Sequence, residues 1–249
     1  IKDLIKQNNF DEKIVPVKTV MNAISSAKDK LIDPDEYYQN IGSDMREKMI
    51  AKLYFQYEER LASADAMDFD GMISNTVKLF TENPDILSYY SNKFKYIMVD
   101  EYQDTNHAQY KLVKLLAKEH RNICVVGDDD QSLYRFRGAT VDLFTNYEKR
   151  AKDRLGIDVE EINLRTNYRS TENIIDHCNQ FAELDGEYQK ARVKNKPKII
   201  APDFEKDKMP VLGLFRNNPE ILSQDLARLI DKLVNKGEVE MPVLRVLDE

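Results

Sequence analysis

Apolar residues recur at three- and four-residue steps through the opening stretch of the chain. Ile14, Val17, Val20, Met21, Ile24, Ala27 and Leu31 form one series, and Met45, Met49, Ile50, Leu53, Tyr54, Tyr57 and Leu61 form another. A repeat near 3.6 residues puts such positions on one face of a helix, so residues 1–66 are predicted to be all α-helical. Asp33 and Asn83 each stand before a proline. A capping side chain followed by a proline in the first turn predicts helix starts at both places.

The texture then changes. Phe94-Lys95-Tyr96-Ile97-Met98-Val99 is a short β-favouring run that closes on Asp100-Glu101, and Ile123-Cys124-Val125-Val126 closes on Gly127-Asp128-Asp129-Asp130. These read as two buried strands of a parallel sheet. Between them Asn106 and Gln109 form a cap-like pair, and Ala108, Leu112, Val113, Leu115 and Leu116 make one face of a helix ending near His120. The unit is strand, helix, strand, with a length suited to a crossover. Residues 159–164 are predicted as a third strand, with Ser170 capping a helix that carries Ile174, Ile175, Cys178 and Phe181. Residues 211–215 read as a strand, 219–233 as a helix with Gly237 after it, and 241–247 as a strand. The pattern specifies an α/β fold behind an all-α segment.

Composition narrows the class. With 249 residues, of which 42% are apolar and 33% charged, and a mean hydropathy of −0.59, the chain can bury a core as one large domain or two small ones. No apolar run approaches the roughly 18–20 residues of a spanning helix, and the first residues lack the pattern of a secretory signal. A cytoplasmic protein with no membrane partner is expected. The chain opens on a helical pattern without a start methionine, which predicts a piece of something longer. Cys124 and Cys178 have no metal-ligand spacing and are read as buried or idle thiols, with no disulfide. His107, His120 and His177 are dispersed and read as surface or cap residues. The net charge of −7 argues against a protein that coats nucleic acid by bulk electrostatics, while leaving room for a local basic stripe. Lys190, Arg192, Lys194, Lys196 and Lys198 fit either such a stripe or a solvated face.

In open parallel sheets, ligands sit beyond the carboxyl ends of the strands. Both predicted strands deliver acids there. Asp100 and Glu101 side by side allow one carboxylate to hold a hydrated magnesium ion while its neighbour takes a proton from an attacking water. Tyr134, Phe136 and Arg137 alternate aromatic and cationic character, the combination that stacks on an unpaired base and pairs with a phosphate.

Longer strings surround these residues. Val99-Asp100-Glu101-Tyr102-Gln103-Asp104-Thr105-Asn106, followed after one crossover by Val126-Gly127-Asp128-Asp129-Asp130-Gln131-Ser132-Leu133-Tyr134-Arg135-Phe136-Arg137-Gly138-Ala139, resembles motifs II and III of the UvrD/PcrA/Rep-type superfamily 1 DNA helicases. Met67-Asp68-Phe69-Asp70-Gly71-Met72-Ile73 looks like that family's Asp-Phe-Asp segment, and Leu164-Arg165-Thr166-Asn167-Tyr168-Arg169-Ser170-Thr171 is similar to its motif IV. Residues 1–38 look like the helical insertion of PcrA-type members, and the resemblance fades after about Lys208.

The resemblance implies incomplete RecA-like lobes of the P-loop NTPase type. Residues 1–66 would be the helical insertion, 67–157 the remainder of the first lobe, and 158–249 the start of the second. It also implies roles. Asp100 would hold magnesium, with Glu101 beside it as general base for ATP hydrolysis, and Gln131 would sense the γ-phosphate. Tyr168 would stack on adenine, and Arg169 would act as an arginine finger from the second lobe. Tyr134, Phe136 and Arg137 would contact single-stranded DNA; the family usually has tryptophan at the position of Phe136, so a smaller π-face is expected here. The acidic run 128–130 resembles the UvrD/PcrA type rather than the nuclease-coupled relatives, which also carry Phe-Arg.

The eight glycines never form G-x-x-x-x-G-K-[ST], the loop whose amides and lysine grip the β- and γ-phosphates, and the arginine-bearing motif VI is not found. The leading expectation is therefore a fragment of an ATP- and magnesium-dependent helicase moving 3′ to 5′ on single-stranded DNA and at single-strand/duplex junctions. The fragment by itself is expected to be inactive and, with incomplete lobes, prone to self-association. The alternatives are a truncated helicase-like module that binds DNA or protein without motor activity, and a metal-dependent phosphohydrolase built on the aspartates. The DNA structure and the pathway are not legible in these residues.

Overall fold

The computed structural model describes residues 1–132, 141–156, 158–184, 186, 189, 192–193, 196–202 and 213–236. They fall into two compact units, Ile1–Asn163 with Ala182–Pro197, and Leu164–Phe181 with Lys198–Glu249.

The first unit begins with the predicted helices, although Ile14 and Leu31 of the first series lie outside α2 and Ile14, Met21 and Met45 are exposed. Helices α1 (Lys2–Gln7), α2 (Val17–Asp29), α3 (Pro34–Asn40) and α4 (Met45–Ser63) close around Leu4, Ile5, Val15, Val20, Ile24, Ala27, Ile50, Leu53 and Tyr54. Burying an aliphatic side chain of this kind contributes about 1.5–3 kcal/mol, enough in sum to fix the packing of the helices. The Asp33 carboxylate accepts the amide of Glu36 at 2.8 Å, as its place before Pro34 predicts. Helix α5 (Phe69–Glu82) starts from an Asp68 cap, and α6 (Pro84–Lys93) follows it. Asn83 occupies the N-cap position of α6, but its side chain turns back to donate to the Leu79 carbonyl at 3.0 Å. The proline, not a side-chain cap, marks that start.

The sheet has two parallel strands, β1 (Ile97–Val99) and β2 (Ile123–Val125), with Ile97 opposite Ile123 and Val99 opposite Val125. Helix α7 (His107–Ala117) makes the crossover, and Asn106 with Gln109 forms a complete capping box. It ends three residues before His120. Burial is one-sided: Ile97, Val99, Ile123 and Val125 are half-buried, whereas Met98 is 78% exposed and Cys124 is exposed. The expectation of fully buried strands is corrected, because within the described residues no layer covers the second face; of the two readings of Cys124, buried or idle, its exposure removes the first. Helices α8 (Val141–Thr145) and α9 (Tyr147–Leu155) complete the unit. Gly156, at φ 64°, supplies the left-handed residue that ends α9.

Residues 159–164, at the end of the first unit and the start of the second, form no strand, and Ile162 and Leu164 are exposed. A single parallel bridge between Thr166 and Ile200 takes the place of the predicted third strand. Helix α10 (Glu172–Leu184) starts two residues beyond Ser170, so Ser170 is not its cap. Instead the Asn167 carboxamide oxygen accepts the amides of Arg169 at 2.8 Å and Ser170 at 2.9 Å. Of its predicted apolar face only Ile175 is buried, and Cys178 is exposed. Helix α11 (Pro219–Lys236) runs longer than predicted. Residues 213–215 are irregular; 211–212, Gly237 and the strand expected at 241–247 lie outside the described residues.

Candidate nucleotide-hydrolysis site

The site is built from the loops that leave β1 and β2. Val126 donates its amide to the Val99 carbonyl at 2.8 Å, and Tyr102 donates to the Val126 carbonyl at 2.9 Å. The pairing of the strands thus continues into both loops. Tyr102 is buried, with Tyr147 edge-on at 5.4 Å and Phe144 at 6.4 Å between ring centroids. This aromatic anchor fixes the loop that bears the two acids.

Asp100 and Glu101 are both exposed. The Asp100 Oδ1 atom accepts the Glu101 amide at 2.9 Å. Glu101 holds φ 50° and ψ 40°, a left-handed conformation that a non-glycine residue adopts at some cost. Its carboxylate accepts a hydrogen bond from Gln103 Nε2 at 2.7 Å.

Gln103 is 1% exposed, and its other end accepts the Asp128 amide at 3.0 Å. Asp128 in turn accepts from Gln131 Nε2 at 2.8 Å. A continuous line of hydrogen bonds therefore runs from Glu101 through Gln103 and Asp128 to Gln131, which is itself exposed. Gln103, two residues after Glu101, carries none of the roles expected from the sequence; the signal that marks it is a carboxamide in a turn where the chain must bridge two strand ends. Gly127 makes the bridge possible, since a Cβ there would meet Gln103 Oε1 at 2.7 Å and the Phe144 ring at 2.8 Å.

The loop after β2 is held from a second side. Lys196 pairs with Asp128, Asp129 and Asp130, Arg192 pairs with Asp130 at 2.6 Å, and the Val193 amide donates to Asp129 Oδ2 at 2.7 Å. Burial by itself would lower the Lys196 pKa, but the three carboxylates outweigh it and hold the ammonium well above its ordinary range. The basic run is thus neither a free stripe nor a solvated face at Arg192 and Lys196. It neutralises an acidic turn, while Lys190 and Lys194 lie outside the described residues.

The Asp-Phe-Asp segment plays a linking part. Lys28, 3% exposed, pairs with Asp68 at 2.8 Å and Glu58 at 2.7 Å. Asp68 also accepts the Tyr57 hydroxyl at 2.8 Å, and Asp70 accepts the Ser25 hydroxyl at 2.7 Å. Next to this cluster Asp29 accepts from Asn106, the cap of α7, at 2.6 Å. Burial and the nearby Asp70 raise the Asp29 pKa to about 6.

Tyr168 and Arg169 lie in the second unit, both exposed, in the turn set by Asn167. Tyr134, Phe136 and Arg137 lie outside the described residues. As for the histidines, His107 is the exposed first residue of α7, His120 is half-buried, and His177 faces the Asn173 carbonyl at 2.7 Å. No helix among the described residues is long and apolar enough to cross a membrane.

Residues 1–152 match the UvrD/REP helicase N-terminal domain. The chain is 42% identical over 187 residues to the ATP-dependent DNA helicase PcrA of Staphylococcus epidermidis, covering 75% of this chain and 25% of that protein. It is 43% identical over 190 residues to the protein of the same name from Staphylococcus aureus, with the same shares covered. The chain therefore spans about a quarter of the length of the curated relatives it matches. With the two strand-end loops joined as described and the family match running through both of them, the chain belongs to the UvrD/REP helicase family.

Proposed function

We propose that this chain is part of an ATP-dependent DNA helicase that moves 3′ to 5′ along single-stranded DNA and opens single-strand/duplex junctions. In this reading residues 1–66 are a helical insertion, 67–157 belong to a first RecA-like lobe and 158–249 to a second. The observation that carries it is the hydrogen-bonded line from Glu101 to Gln131, because a motor must connect the group that activates water to the group that senses the terminal phosphate.

The donor set suits magnesium. Asp100 and Glu101 offer hard carboxylate oxygens at an exposed strand end, and Asp100 keeps one oxygen beyond the bond it accepts from the Glu101 amide. Bound there, the ion would neutralise charge on the nucleotide phosphates. Asp100 would hold it, and Glu101, oriented by Gln103, would take the proton of the attacking water. Gln131 would donate to the γ-phosphate, exchanging its present acceptor, Asp128, for phosphate oxygen. Tyr168 would stack on adenine and Arg169 would pair with the phosphates. Tyr134, Phe136 and Arg137 would hold unpaired DNA by stacking and a phosphate contact.

The phosphate-gripping loop with its lysine supplies much of the electrostatic stabilisation of phosphoryl transfer. This sequence contains no such loop, so the chain alone is expected to leave ATP intact. The open face of β1 and β2, with Tyr96 and Met98 exposed, supports self-association of the isolated chain. The deciding experiment is DNA-stimulated ATP hydrolysis by the longer protein with Glu101→Gln and Gln131→Ala. Glu101→Gln should abolish hydrolysis while nucleotide still binds, and Gln131→Ala should weaken the stimulation by DNA. Full activity in Glu101→Gln would overturn the assignment.

A further inference from the structure

Lys111, Lys114 and Lys118 stand at helical spacing along one side of α7 and its C-terminal end, and Arg154 of α9 faces them across a cleft of about 270 Å³ floored by Leu115. Among the described residues no acidic side chain lines this cleft. Among the described residues none of the three lysines has a carboxylate partner, and the Arg154 guanidinium rests on the Tyr110 ring at 6.0 Å. The neighbouring Arg150 is held by Asp142. The local field is positive enough to be felt by His107, whose pKa is pushed down first by partial desolvation of its ring and then by Lys111, Arg154 and Arg150. On a chain of net charge −7, such a concentration of uncompensated cations is not a consequence of composition. The helix dipole favours a cation or two near the end of α7, but it does not account for Arg154 arriving from another helix.

We propose that the cleft between α7 and α9, walled by Lys111, Lys114, Lys118 and Arg154, binds the phosphate backbone of nucleic acid. A crossover helix runs opposite to the strands it joins, so Lys118 lies toward the start of β2, at the far end of α7 from Asp100 and Glu101. The site is therefore additional to the hydrolysis site and does not depend on the ATP reading. From Lys111 to Lys118 the row extends about 10 Å at the helical rise, the span of about three nucleotides at 3.4 Å per strand. The chemistry favours a backbone over an acidic peptide. A peptide needs apolar anchor pockets; among the described residues Leu115 is the one apolar side chain lining this cleft, and the adjoining hollow lined by Tyr102, Tyr110, Val113 and Tyr147 holds only about 20 Å³, too little for an anchoring side chain. Phosphates need only cations, and the contact carries no base specificity.

The test is fluorescence anisotropy of the full chain with a labelled 20-nucleotide strand and with the corresponding duplex, across a salt series. The triple variant Lys111→Gln/Lys114→Gln/Lys118→Gln should bind at least about tenfold more weakly at low salt, and the slope of log affinity against log salt should become shallower by about two to three. Arg154→Gln alone should give a smaller loss in the same direction. A control triple at exposed lysines elsewhere, Lys6→Gln/Lys13→Gln/Lys18→Gln, carries the same change in net charge and should bind as the parent chain does. Tyr134→Ala/Phe136→Ala reports separately on the DNA contact proposed above. Loss there with the lysine effect intact leaves this cleft standing. Unchanged binding in the lysine triple, an equal loss in the control triple, no binding by the parent chain at low salt, or displacement of DNA by polyglutamate at matched charge would each overturn the proposal.

Discussion

The carboxamide of Gln103 sits between Glu101 and Asp128, donating to the carboxylate of the first at 2.7 Å and accepting the amide of the second at 3.0 Å. A buried amide that satisfies both ends in this way fixes two loops relative to each other, because releasing either loop strands a polar group out of water. It also stabilises Glu101 in a left-handed backbone conformation that the residue would otherwise leave.

Replacing that amide with a hydrocarbon of similar size should therefore cost more than the loss of two ordinary hydrogen bonds. Gln103→Leu leaves the Asp128 amide without its acceptor and the exposed Glu101 carboxylate to water alone, and the expected destabilisation is about 1–3 kcal/mol. Gln103→Glu keeps an acceptor for Asp128 but sets a second carboxylate against Glu101, so its deficit should be larger at pH 7 than at pH 4.5. Urea denaturation at the two pH values measures both. A Gln103→Leu chain as stable as the parent would show that the bridge is not maintained in solution.

Gly127→Ala probes the same bridge from the backbone side. The added methyl would approach Gln103 Oε1 and the Phe144 ring at 2.7 and 2.8 Å. One of them must move, and overpacking of this kind costs about 1–3 kcal/mol. If Gln103 is what moves, the Asp128 amide should exchange with solvent faster in Gly127→Ala while amides within α2 and α4 are unaffected. Hydrogen exchange read by mass spectrometry or NMR distinguishes the two.

Much of this was legible in the sequence, for physical reasons that differ by element. The helices of residues 1–66 follow from the spacing of residues such as Val20, Ile24 and Leu53, because a helix face is a local property of the chain. The capping box of Asn106 and Gln109 is equally local. The strand ends carrying Asp100 and Asp128 were located by the change from polar to β-favouring residues. What could not be read was long-range. Lys196 lies 68 positions from Asp128, so a basic run looked like a surface until the fold placed it on the acidic turn. Residues 159–164 have the composition of a strand, yet strand formation needs a neighbour with matching register, and propensity does not supply one. The apolar run around Cys124 suggested a covered strand because a parallel strand is ordinarily covered on both faces, whereas among the described residues nothing covers the face that carries Cys124.

The Asp29 carboxyl gives a pH signature of its own. Burial, then Asp70, raise its folded-state pKa to about 6, above the usual value near 3.9 in an unfolded chain. Between those values the folded chain binds the proton more tightly, so this group favours folding below about pH 4 and that contribution is lost as the pH rises through about 6. Asp29→Asn should keep an acceptor for Asn106 while removing the charge. The variant should be more stable than the parent at pH 7 by about 1 kcal/mol, allowing for the partial exposure of the site. The difference should vanish near pH 4. A gain of the same size at both pH values would assign the effect to packing instead.

Lys28 works in the opposite sense. Burial would raise the Asp68 pKa, but hydrogen bonds from Lys28, the Gly71 amide and Tyr57 outweigh it and hold the carboxyl below its ordinary value. A depressed folded-state pKa contributes stability that is present above the unfolded value and lost as the pH falls through the folded one, so the acid limb of the stability curve should carry a contribution from Asp68. Lys28→Met removes the cation while leaving the Asp68 and Glu58 carboxylates in place. Breaking a fully buried pair from one side costs about 3–5 kcal/mol; here Asp68 keeps its bonds from the Gly71 amide and Tyr57 and both carboxylates are partly exposed, so a loss of about 1–3 kcal/mol is expected. The double variant Lys28→Met/Asp68→Asn should recover part of that loss. Because Asp68 caps α5 and Tyr57 belongs to α4, the single variant should also loosen the helical segment from the strand-bearing part. That loosening should appear as faster exchange in the first turn of α5, with the amides of β1 protected as before. Equal stability of Lys28→Met and the parent at pH 7 would mean that the ammonium is not enclosed in solution.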